Sequence, residues 1–148
     1  MAANRGIGSR RIERVFHQAR SDTAPGNHQD KDMTIDKLRE QLLAFRDARD
    51  WQQFHTLRNL IVSTSIEAGE LLETIQWKTD ADIEALLRDP TQMKNLRHEC
   101  ADVLMYLLLV ADAAGFDLVE AAAEKLELNE ERYPADKAKG RSTKYSEL

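Results

Sequence analysis

The chain holds a single cysteine, Cys100, so no internal disulfide can form; its place among apolar helix residues predicts a buried, reduced thiol that serves packing in a cytoplasmic setting. No apolar run exceeds the nine residues from Val103 to Ala111, well short of the ~20 needed to cross a bilayer, and no membrane partner is expected. Positive charge is not in excess either. A net charge of -5 with 32% charged residues gives no support to nucleic-acid binding driven by overall basicity. A Gly-rich phosphate loop of the GxxxxGK[ST] kind is missing, as is a convincing Ser/His/Asp or Cys/His nucleophile set. A small anionic substrate would therefore need a metal or a local basic cluster. Any hydrolysis would use water activated by metal and carboxylate.

Helical periodicity dominates what is present. Ile35, Leu38, Leu42 and Phe45 share a stripe behind a possible N-cap at Thr34, which predicts a first helix ending near Asp50. A second is expected from Trp51 or Gln52 to Trp77, with Gly69 inside it. A mid-helix glycine costs about 1 kcal/mol relative to alanine, which a close approach by another helix or a ligand would offset. Thr79 to Pro90 reads as a polar connector with a short helical stretch around Ile83 to Leu87 and a turn at Asp89-Pro90. A third helix should span roughly Thr91 to Ala114, apolar on nearly every face from Val103 to Ala111. That implies cover by another subunit as well as by its own chain. Gly115 stops it, and Asp117 caps a fourth helix running to Tyr133. The expected architecture is all-α, a four-helix-type bundle. Residues 33–134 form the domain, 1–32 a disordered or peripheral extension, and 135–148 a basic tail carrying Lys137, Lys139, Arg141 and Lys144.

Two acidic pairs stand out: Glu67 and Glu70 in EAGE, and Glu99 and Asp102 in ECAD. The i,i+3 spacing puts each pair on one helix face, bordering an apolar stripe. Acid pairs on helices are usually solvated, and either alone would mean little; two matched pairs on helices that pack together would converge. Glu73 and Glu84, without such partners, read as surface. A di-iron bundle would want Glu-x-x-His on two helices, and no histidine follows these acids. An all-oxygen site instead suits Mg2+ or Mn2+, completed by substrate phosphates, which points to phosphoanhydride or phosphate-ester chemistry. Trp51, His55 and Trp77 flank the helix with the first pair, and indoles can stack a nucleobase. Lys125, Asn129 and Arg132–Tyr133 follow one another along the fourth helix and could face phosphates, although a solvated face is the default reading.

These residues resemble the all-α nucleoside triphosphate pyrophosphohydrolases, MazG-like, and within them the dCTP pyrophosphatase branch. The E-x-x-E…E-x-x-D motif is matched by Glu67, Glu70, Glu99 and Asp102. Further matches in order are RDWQQFHTLRNL (49–60), GELLETIQWK (69–78), NEERYP (129–134) and STKYSEL (142–148). The likeness runs from about Leu38 to Leu148. It departs in the connector from Thr79 to Thr91, in everything before Met33, and at Leu42, where animal relatives selective for dCTP carry histidine. The resemblance implies Mg2+-dependent hydrolysis between the α and β phosphates of dCTP or a related dNTP, a nucleotide-pool house-cleaning reaction. It implies metal ligands at the four acids, a nucleotide enclosed by Trp51, His55, Trp77 and Tyr106, and a homodimer or homotetramer with composite sites. A non-catalytic helical oligomer that binds nucleotides or a partner, and a same-fold pyrophosphatase for another nucleotide, are the alternatives.

Overall fold

Thr34 starts the first helix. Its backbone is extended, at φ -95° and ψ 164°, and its Oγ1 accepts from the Lys37 amide at 3.2 Å, which fixes the entry to α1, Ile35–Asp47. Asp50 ends the excursion past α1 with a left-handed φ of 54°, a conformation aspartate tolerates, and the Trp51 amide donates back to the Arg46 carbonyl at 3.1 Å. One 3-10 turn, Gln52–Phe54, follows. The computed structural model of the protein describes residues 33–147; the expectation for the extension at 1–32 lies outside them.

The single helix expected from Trp51 to Trp77 is three pieces. Thr56 is extended and accepts from the Asn59 amide at 3.2 Å, so α2 runs only Leu57–Glu73. At the far end the Thr74 hydroxyl donates to the Leu71 carbonyl at 2.8 Å, and the chain leaves through tight turns to Lys78. Both ends follow from threonine hydroxyls competing for backbone groups, a signal that apolar spacing does not contain. Thr79 and Asp82 then form a reciprocal capping box that extends the short connector helix to α3, Asp80–Arg88. Asp89-Pro90, read as a turn, is the start of α4, Pro90–Ala114: Asp89 accepts from the Thr91 and Gln92 amides, and proline suits the first helical position. Gly115, at φ 73°, closes α4, and Asp117 caps α5, Leu118–Arg132. A short α6, Ala135–Ala138, and a 3-10 turn, Tyr145–Glu147, complete the described chain. No strand occurs among the described residues, so the expected all-α class holds.

α4 is the central element and packs most extensively on α2, with α1, α3 and α5 against it. The core joins Leu42 of α1, Leu60 of α2 and Tyr106, Leu108 and Leu109 of α4, with Leu118 of α5 packed on it. Leu86 buries α3. Leu42 is thus a core residue. Arg46 ties α1 to α4 through Asp112, its Nη1 donating at 3.1 Å, while its Nε donates to Asp47 at 2.7 Å. Between Val103 and Ala111 the chain covers most of α4 by itself, leaving only Leu107 exposed. One expectation fails here. Cys100 is exposed, because Glu99 and Tyr106 mark the inward face and the next position along the helix turns away from it. Apart from its own helix backbone and chain neighbours, no atom among the described residues lies within 4 Å of where a Gly69 side chain would begin, so of the two compensations expected for this glycine no described helix supplies one. No described helix is long and apolar enough to cross a membrane.

Leu109, 1% exposed, should be a keystone. Truncating it to alanine should cost about 2–5 kcal/mol in urea unfolding, within the range for buried leucines. Leu107→Ala, at a position 37% exposed, should cost far less. Equal losses would contradict this assignment of the core.

Candidate functional site

The packing of α2 on α4 brings three of the four predicted acids together. Glu67 and Glu70, one turn apart on α2, meet Glu99 of α4, and one carboxylate oxygen from each lies within 4.8 Å of the others. Glu67 and Glu99 are buried and Glu70 is half-buried. The predicted fourth member, Asp102, is half-buried one turn further along α4 and falls outside this group. Three oxygen donors from two rigid helices suit a hard divalent cation, and the group contains neither histidine nor cysteine to favour a softer metal. Glu73 and Glu84 are exposed, as expected; Glu84 accepts from Arg88, one turn along α3, at 3.4 Å.

The other predicted residues scatter around the bundle. Trp51, half-buried, sits edge-on to Phe45 with ring centroids 5.7 Å apart, and the Arg49 guanidinium lies 3.5 Å from the Phe45 centroid. Tyr106 is 2% exposed in the core cluster. Trp77 stands in the turn after α2 and is 89% exposed, so it is not packed against the described residues. Lys125 is exposed and Asn129 half-buried on α5. His55 is buried, with neither ring nitrogen hydrogen-bonded among the described residues. Its neighbours in charge are Arg46 and Asp47. Arg46 is also held by Asp112, 66 residues away, a contact no local sequence signal announces.

Residues 62–148 match the model of the MazG-like family. The chain belongs to this family. It is 40% identical to human dCTP pyrophosphatase 1 over 115 residues, which is 78% of this chain and 68% of the human protein. The rat dCTP pyrophosphatase 1 is 37% identical over the same shares. A crystal structure of a pyrophosphatase from Archaeoglobus fulgidus matches with a TM-score of 0.63 and 40% identity, covering 73% of this chain and 99% of that one. The matched region contains the three-acid group, and the extension at 1–32 precedes it.

Burial first, then the positive charge of Arg46, lowers the His55 pKa below the ordinary 6.5, while Asp47 opposes them. The folded protein therefore holds His55 neutral where the unfolded chain would protonate it. Its contribution to stability is complete above pH 6.5 and is lost as pH falls from there through the folded value. Thermal melts of the native chain should lose more stability on acidification below 6.5 than those of His55→Gln. Parallel pH profiles for the two proteins would refute a neutral, desolvated imidazole.

Proposed function

We propose that the protein is a Mg2+-dependent nucleoside triphosphate pyrophosphohydrolase that cleaves the α–β phosphoanhydride of dCTP or a related dNTP, releasing the monophosphate and pyrophosphate. The observation that carries this reading is the three-carboxylate group on α2 and α4, inside the part of the chain that matches the family. The identity to proteins named dCTP pyrophosphatase 1 supports the choice of deoxycytidine nucleotides. Glu67, Glu70 and Glu99 would hold Mg2+, or Mn2+ in its place, with Asp102 completing the acid set. When bound, the ion supplies positive charge to the phosphate oxygens.

The remaining work belongs to side chains. A carboxylate of the acid set orients the attacking water and takes one of its protons; the water oxygen bonds to phosphorus as the bond to the bridging oxygen breaks. Burial of Glu67 and Glu99 keeps competing water from these oxygens and strengthens their interactions with charge. Trp51, His55, Trp77 and Tyr106 would surround the base and sugar, and Lys125 and Asn129 would face the phosphates. Pyrophosphate release should be Mg2+-dependent, abolished by EDTA, and greatest with dCTP or 5-methyl-dCTP among the common dNTPs and NTPs. Glu67→Gln should keep the fold and lose at least ~100-fold in kcat/KM, as expected for removal of a catalytic carboxylate. Absence of release with every nucleotide would remove the hydrolase reading.

The active form is proposed to be a homodimer or homotetramer. On and just past α2, several large apolar side chains are left exposed: Leu57 and Ile61 at 42% and 51%, Leu72 and Ile75 at 55% and 42%, and Trp77 at 89%. Exposed apolar surface of this extent is what a contact with a second copy would cover. Light scattering on the native chain should give a multiple of 16.9 kDa, and Ile61→Glu with Leu72→Glu should lower it. A native mass of one chain would contradict the assembly.

A further inference from the structure

Hydrogen bonds from two directions meet at Arg46 and join α4 to the connector between α1 and α2. The guanidinium, on a side chain only 11% exposed, donates from Nη1 to Asp112 of α4 at 3.1 Å and from Nε to Asp47 at 2.7 Å. Asp47 belongs to the same helix as Arg46, so Asp112 is the partner that ties this guanidinium to the centre of the bundle. The Arg46 carbonyl meanwhile accepts from the Arg49 and Trp51 amides, each at 3.1 Å. From there the Trp51 carbonyl accepts from the Phe54 amide at 2.9 Å, the Gln52 carbonyl from the His55 amide at 3.1 Å, and the Phe54 carbonyl from Nδ2 of Asn59, on α2, at 3.0 Å. A path of bonds thus runs from α4 through Arg46 into the segment that carries Trp51 and His55, and on into α2.

An ion pair between helices that only adds stability would be the bland account, but this one stands beside a group that responds to it. The His55 ring is buried, and neither of its nitrogens has a partner among the described residues. The charges that act on it are Arg46 and Asp47 of α1; Asp112 does not act on it directly. A neutral imidazole offers one donor and one acceptor, an imidazolium two donors, and a guanidinium fixed nearby favours the first. We infer that Arg46, clamped by Asp112, is a positioning residue that fixes the connector relative to α4 and sets which hydrogen bonds His55 offers the nucleotide. The inference rests on the hydrolase reading for its ligand, since that reading places Trp51 and His55 around the base and sugar.

Because Asp112 reaches the imidazole only through Arg46, the sign of its effect separates the clamp from a direct field. Direct removal of a negative charge lowers a histidine pKa, whereas freeing Arg46 raises it, as the fixed positive charge moves off and the connector loosens toward water. The test uses the full chain, its variants Asp112→Asn, Asp112→Glu and Arg46→Gln, and the double variant Asp112→Asn with Arg46→Gln. His55→Gln assigns the ring signal among the four histidines. NMR titration of that ring is set beside KM and kcat for dCTP. The His55 pKa should rise toward its ordinary 6.5 in Asp112→Asn and rise also in Arg46→Gln, with the double variant matching Arg46→Gln alone. Asp112→Glu should restore the native titration. KM should rise about three- to tenfold in Asp112→Asn with kcat within about twofold, as for residues coupled in one network. A lower Tm in Asp112→Asn with native His55 titration and KM would reduce the pair to a structural tie and overturn the clamp. So would a fall in the His55 pKa, or additive shifts in the double variant. The titration pattern without turnover of any nucleotide would sustain the clamp on His55 while removing the hydrolase reading; turnover with titration and KM unmoved in Asp112→Asn would remove the clamp alone.

Discussion

The packing of α2 on α4 is the constraint on which the rest depends, because the stripe that builds the core also carries the acids. Leu60, Ser63 and Glu67 lie along one buried face of α2, and Glu99, Tyr106 and Leu109 along that of α4. Registering the apolar pairs therefore registers the carboxylates. Two unit charges 4.8 Å apart repel by about 3–4 kcal/mol at an effective dielectric of ~20, comparable with what burial of one or two leucines contributes. A fold that holds three carboxylates so close is at its most favourable with positive charge between them. Core and candidate chemistry are in this sense one structural decision.

Periodicity made the helices legible where the stripe is continuous. α1, α4 and α5 lie close to their expected spans because Gly115, Asp117 and Thr34 punctuate them with caps whose mechanism is visible in the residue type. The region from Trp51 to Trp77 was overrun, since apolar spacing continues through Thr56 and Thr74, and only backbone competition by their hydroxyls divides it. Cys100 faces outward despite its apolar neighbours, because composition around a residue does not say which way it faces, and Glu99 beside it is the inward position. The acids were readable because i,i+3 spacing has one geometric meaning. Which of the four acids share one group was not, since that depends on how α4 packs on α2.

The chain also shows how an acidic protein can serve an anionic ligand. Carboxylates are concentrated at the α2–α4 contact, while cations gather in the tail beyond α5. His55 adds a third environment, where burial and then Arg46 lower the imidazole's pKa. Membership of the MazG-like family fits such a division, since the matched region runs from α2 through the tail.

Direct titration of Mn2+ into the full chain, read by electron paramagnetic resonance, tests the central claim without relying on turnover. The account predicts saturable binding by the native protein and its loss when Glu67 and Glu99 are both changed to Gln, with the helical signal intact. Binding that survives in the double variant, or no binding by the native protein, would contradict a cation site built by the α2–α4 contact.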